Sequence, residues 1–262
     1  MTRLQIGIIA ASLALFCILA FGLETRPRHL RDLDRQRSIS GETTSAAVLL
    51  KEARQKLPET AAAEVAVMED NALASASDSE KAERFKELSA RWYQLGFPAI
   101  SGYYAQEVAE ILNSGESWAI AGTTYAIGQQ QADEEKVSEF CTSRAVQCFE
   151  NAVSLDPDNP EYQLNLANVY VVKPPQDNPM KGILMLRELN NKYPDNVPVL
   201  NTLGRLALQT GQTDRAIERL EQALSLAPEN NQTLCLLADA YQAAGQSDKS
   251  EAFAQRCQSG RE

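Results

Sequence analysis

Five cysteines, one histidine and a short acidic run are the residues of this 262-residue chain whose types could do chemistry. Cys141 or Cys148 would serve as a nucleophile only with a base beside it, and the single histidine, His29, lies far upstream. Asp133, Glu134 and Glu135 offer carboxylates, but neighbours on a helix point apart rather than towards one substrate. No CxxC pair, Cys/His spacing, GxSxG or phosphate-cradling glycine loop occurs. The expectation is a chain that is not an enzyme and takes no metal and no cofactor, with both thiols buried.

The cysteines leave the compartment open. Cys141 and Cys148 are seven apart on one predicted helix, a rise of about 10 Å, beyond the reach of a disulfide. Cys235 and Cys257 are 22 apart with a turn between them, and meet only if their helices pack that way.

These residues sit in a sequence built for helix, rich in Ala, Leu, Glu, Gln, Lys and Arg. The net charge of -10 and 6% aromatic content argue against a nucleic-acid partner, which needs a basic face and stacking platforms. Residues 4–23, "LQIGIIAASLALFCILAFGL", carry no charge and would span roughly 30 Å as a helix, the thickness of a bilayer core. Three readings compete: an uncleaved transmembrane anchor, a signal peptide cut after Ala20-Phe21-Gly22, and a lipidated Cys17. The run exceeds the about 7–15 residues of a signal peptide, and Phe16 is not the small residue that lipidation wants, so the anchor is preferred.

Orientation is contested. Arg26, Arg28, Arg31, Arg35 and Arg37 follow the segment and only Arg3 precedes it, which by the positive-inside rule holds the bulk of the chain in the cytoplasm. A short N-terminus before a large soluble domain is instead the layout of an exported signal-anchor protein, and large domains translocate largely regardless of charge. The expectation is a single-pass inner (cell) membrane protein with its soluble part in the periplasm, the cytoplasm-facing orientation being the alternative. Residues 24–42 read as a charged juxtamembrane linker and 43–78 as a helical pair, with Val48, Leu49, Ala53 and Leu57 on one face.

From 79 to 262 the chain repeats. Residues 197–230, "VPVLNTLGRLALQTGQTDRAIERLEQALSLAPEN", are 34 long and read as helix, glycine turn, helix, proline. Leu203 and Gly204 fall at places 7 and 8, and Ala216, Leu220, Ala223 and Pro228 at 20, 24, 27 and 32. Small residues at 8, 20 and 27 let antiparallel helices approach, and bulky ones at 4, 7, 11 and 24 fill the space between them. Residues 231–262 follow with Leu237, Ala238, Tyr241, Gly245 and Ala254, and 160–196 with Leu166, Ala167, Tyr170, Gly182, Leu186 and Pro194. An earlier unit holds Trp118, Gly122, Tyr125, Ala145, Phe149, Ala152 and Pro157 around eleven extra residues. A degenerate one holds Leu88, Ser89, Trp92, Gly96, Ser101 and Ala105.

These five units resemble the tetratricopeptide repeat (TPR). The resemblance implies an all-α fold: the transmembrane helix, then a right-handed α-solenoid of helical hairpins whose first helices line a groove. Together with "DNPMKGILMLRE", the layout resembles bacterial single-pass membrane-anchored TPR proteins. More loosely it is similar to TPR proteins associated with the translocon or with cytochrome c assembly. The resemblance implies a protein-binding scaffold or chaperone-like adaptor, whose partner is a protein or extended peptide segment, with a cytoplasm-facing tether of a membrane complex as the alternative. It places Leu164, Asn168, Val171, Val172, Asn201, Arg205, Leu208, Gln209, Asp239 and Gln242 in the groove, with Thr123, Ala126 and Ile127 from the unit before. Asn168, Asn201 and Arg205 partly echo a carboxylate clamp, though its lysines are missing. An inert inner face is the other alternative. In the segment "VVKPPQDNPMKG", prolines 174 and 175 should end one helix, Asn178 cap the next and Pro179 open it, leaving Lys173 and Gln176 free.

Overall fold

The computed structural model describes residues 44–259. The segments expected to be an anchor (4–23) and a linker (24–42) lie outside them. The chain divides into Met1–Ser45 and Ala46–Glu262, and the second unit holds all the described helices. They are α1 (Ala46–Lys56), α2 (Glu59–Leu73), α3 (Asp78–Gln94), α4 (Pro98–Leu112), α5 (Gly115–Gln131), α6 (Glu135–Leu155), α7 (Pro160–Val172), α8 (Lys181–Lys192), α9 (Val197–Gln209), α10 (Thr213–Leu226), α11 (Asn231–Ala243) and α12 (Ser247–Ser259). Among the described residues there is no strand, and no helix is long and apolar enough to cross a membrane.

Local chemistry sets the helix starts. Ser77, Ser114, Asn159, Asn196 and Asn230 each accept a backbone N–H of the first turn, and Pro98, Pro160 and Pro198 occupy first-turn positions where no N–H is needed. Three hairpin turns share one solution. Gly96, Gly211 and Gly245 adopt positive φ, and the next residue's N–H bonds back to Trp92, Ala207 and Tyr241 at 2.8–3.0 Å, closing the helix end.

From α3 onward the helices pair as five antiparallel hairpins, each helix packed on its sequence neighbour. First helices also touch one another (α5 with α7, α9 with α11), as do the second helices α4 and α6, so the hairpins form two layers. Small residues govern the close approaches. A Cβ on Gly122 would lie 2.9 Å from the Phe149 ring, one on Gly204 2.7 Å from Leu220, and one on Gly182 2.7 Å from the Ala167 carbonyl. At 21 residues α6 is the longest helix and absorbs the extra length of its unit.

Buried apolar side chains form three clusters. The largest runs continuously from Leu49 in α1 to Tyr170 in α7; a second joins α7, α8 and α9 around Leu186, and a third joins α10 and α11 around Leu220 and Tyr241. The leading helical pair docks onto this stack, α1 against α4 and α2 against α3. Arg54 of α1 pairs with the buried Glu69 of α2, and Tyr104 of α4 donates its phenolic proton to the same carboxylate at 2.5 Å.

Cys235 and Cys257 form a disulfide with a Cα separation of 5.0 Å, so α11 and α12 do pack in the one way that lets them meet. Helix α12 is otherwise polar and buries only Cys257 outright.

Candidate protein-binding face

The first helices α3, α5 and α7 leave two clefts of the same construction, one repeat apart. Each has two first helices as walls and the second helix of the earlier hairpin as its floor. The cleft between α3 and α5 has a volume of about 540 Å³, that between α5 and α7 about 200 Å³.

One side chain at a corresponding place in each floor separates them. Phe149 of α6 fills the smaller cleft, lying against Gly122 and fully buried. The matching place in α4 holds Ala105, and Leu186 and Leu220 occupy it in later hairpins. With that side chain cut back to a methyl group, the gap between α3 and α5 stays open. Its floor is the stripe Ser101, Ala105, Val108 and Leu112, and its walls carry Tyr93 and Ile120. Tyr93, Leu112 and Ile120 are each about half exposed, an unusual outlay of large apolar side chains on one strip of surface.

The serine and threonine hydroxyls around this cleft are engaged. Ser89 bonds to the Ser101 carbonyl at 2.9 Å and lies 3.1 Å from its hydroxyl. Ser117 donates to the Ser114 carbonyl at 2.9 Å within a capping box, and Thr124 donates to the Ile120 carbonyl at 2.8 Å.

The smaller cleft is lined by Thr123, Ala126 and Ile127 of α5 and by Asn165, Asn168 and Val172 of α7. The Asn168 Oδ1 atom is buried and accepts no hydrogen bond among the described residues. Asn168 and Val172 therefore share a cleft with residues of the preceding unit, as the repeat register placed them.

Other residues expected in the groove sit elsewhere. Leu164 is 6% exposed and belongs to the cluster joining α7, α8 and α9. Val171 packs against that cluster, and Leu208 against the one beneath α10 and α11. Asn201 is 1% exposed: its Oδ1 lies 2.9 Å from the Thr233 hydroxyl, and its Nδ2 donates to Asn230 Oδ1 at 3.4 Å. Its amide locks α9 to the cap of α11, which corrects its assignment to a groove that meets ligands. Arg205 is half-buried, and Gln209, Asp239 and Gln242 are exposed. Register fixes which side of a helix a residue occupies, but not how tightly the next hairpin closes over it.

The proline-rich connection between α7 and α8 is a seam. Helix α8 starts at Lys181 rather than at Pro179: Met180 is its N-cap, with no side-chain cap, and the Lys181 N–H bonds the Asn178 carbonyl at 3.0 Å in the turn before it. Lys173 is not free: its Nζ bonds Glu135 at 2.5 Å. Lys181 donates to the Tyr170 hydroxyl at 2.7 Å, pinning the other end.

Cys141 and Cys148 are fully buried, and burial pushes both thiols up to about 12, so neither offers a thiolate for chemistry at neutral pH.

Residues 138–234 match the family model of the Cytochrome c-type biogenesis protein H TPR domain. No curated protein matches the chain. Among solved structures, the crystal structure of MamA protein is similar at 16% identity over 70% of this chain and 92% of that one, with a TM-score of 0.44. MamA 41-end from Desulfovibrio magneticus RS-1 is similar at 18% identity over 69% and 94%, with a TM-score of 0.44. YrrB, described as a TPR protein with an unusual peptide-binding site, is similar at 12% identity over 68% and 84%, with a TM-score of 0.39. The matched hairpins are thus TPR units.

Proposed function

We propose that this chain is a membrane-tethered protein-binding scaffold or chaperone-like adaptor, without catalytic activity, whose first-helix face receives a segment of another protein. The observation that carries the reading is the 540 Å³ apolar cleft between α3 and α5, rimmed by half-exposed Tyr93, Leu112 and Ile120. The match of residues 138–234 to a TPR domain named for cytochrome c-type biogenesis supports a role in protein assembly.

The same reading tethers the chain to the inner membrane through residues 4–23, with the repeats in the periplasm. The Cys235–Cys257 bond supports that side, because disulfides persist in oxidising compartments and are rare in the cytosol. The five arginines that follow residue 23 favour the cytoplasm-facing alternative. Protease added to cells with a permeabilised outer membrane decides between them. Digestion of residues 43–262 with the inner membrane intact supports export, and full protection overturns it. A photocrosslinker at Ile120 should capture a defined protein in membranes, and its failure there would remove the cleft from the function.

A further inference from the structure

The open cleft also says what kind of segment it takes. An extended peptide buried in a groove needs donors and acceptors for its own backbone, since each unmet group carries a desolvation penalty. This cleft supplies few. The protons of the Ser89, Ser117 and Thr124 hydroxyls are committed to neighbouring oxygens, which leaves the Tyr93 hydroxyl and the Gln94 amide on the α3 wall, and the floor is the stripe Ser101, Ala105, Val108 and Leu112. A helix satisfies its backbone internally and asks only for apolar contact along one face. The floor stripe advances eleven residues along α4, roughly 16 Å, which is about three turns of a helix lying in the trough.

Charge narrows the occupant further. Two charged residues line the cleft, Lys86 on the α3 wall and Glu116 on the α5 wall. Lys86 already has an anionic partner, its Nζ lying 2.7 Å from Glu83. Glu116 is exposed and makes no ion pair among the described residues, so the uncompensated charge at the rim is negative, as is the whole chain at -10. We propose that this cleft receives a basic amphipathic α-helix of a partner protein, its apolar face on the Ala105 floor and a lysine or arginine towards Glu116. The proposal rests on the scaffold reading above and adds the class of the partner segment.

The test uses the full chain in zwitterionic nanodiscs, with empty discs subtracted. The probe is a labelled peptide of leucine and lysine patterned as an amphipathic helix. Its controls are the same composition with two central prolines, and a version with glutamate for lysine. The helical basic peptide should bind at least tenfold more tightly than either control. Ala105→Leu, which restores the side chain found in later hairpins, should weaken it at least tenfold with helicity unchanged, and Glu116→Gln should weaken it and flatten its salt dependence. If the proline-broken peptide binds as well and Ala105→Leu weakens both, the helix proposal falls and the scaffold reading stands. If Ala105→Leu leaves binding unchanged, the proposal also falls. If no peptide binds and the crosslinker at Ile120 captures no protein in membranes, both fall.

Discussion

The Asn201 side chain and the Thr233 hydroxyl meet at 2.9 Å across the junction between α9 and α11, where the repeat register had placed Asn201 in an open groove. Since the Thr233 hydroxyl keeps Asn230 Oδ1 as an acceptor at 3.0 Å, Asn201→Ala should cost about 0.5–1.5 kcal/mol, the net value of the hydrogen bond lost. Urea denaturation measures this, and partner capture should be unaffected. Lost capture at unchanged stability would return Asn201 to the binding face.

The relationship between Ala105 and Phe149 gives a second expectation. Filling the larger cleft from below with Ala105→Leu should raise stability by about 0.5–2 kcal/mol, in the range of cavity-filling changes. A destabilised variant would mean that the floor of α4 is already closely packed and that the cleft arises from its walls.

Reduction of Cys235–Cys257 closes no new contact and removes a constraint on a 22-residue separation, which in the chain-entropy account is worth about 3 kcal/mol. Hydrogen exchange should show the loss concentrated in α11 and α12, with α3–α6 unchanged. A uniform loss would show that the hairpins melt as one unit.

The buried thiols make a pH-dependent prediction. Burial raises Cys141 and Cys148 from an ordinary 9.0 to about 12, and Tyr103 is raised from 10.0 to about 12, again chiefly by burial. A folded state that holds these protons more tightly has their full contribution below pH 9 and loses it as the pH climbs towards 12. Thermal melts should therefore shift downward only on the alkaline side. In a Cys17→Ser background, native protein at pH 8 should react with a thiol reagent no faster than it unfolds, and rapid modification would contradict the burial.

Much of the hairpin pattern was legible because it depends on local signals: small residues at the contact places, glycine turns, and asparagine or serine caps before proline-led first turns. The larger cleft was not anticipated: Ala105 stood in the sequence only as a mark of a degenerate unit, and a small side chain where Phe149, Leu186 and Leu220 stand elsewhere declares an opening only once the neighbouring helices are placed. Leu164, Val171 and Leu208 were drawn to the groove by register, and hairpin stacking, a long-range matter, turned them into core. The start of α8 lies two residues later than the cap pattern implied, with Met180 and not Asn178 at the N-cap.

Of the three buried clusters, the one at the C-terminal end is small, and the helix that closes it contributes a single fully buried side chain, the cysteine itself. The covalent link therefore joins a helix that is otherwise held by Phe253, stacked on Tyr241 at 5.6 Å, and by the Ser250 hydroxyl donating to the Ala238 carbonyl at 2.9 Å. With the bond reduced, those noncovalent contacts alone would hold α12 against α11. The same sequence thus has a covalently closed end in oxidising surroundings and a noncovalently held one in reducing surroundings.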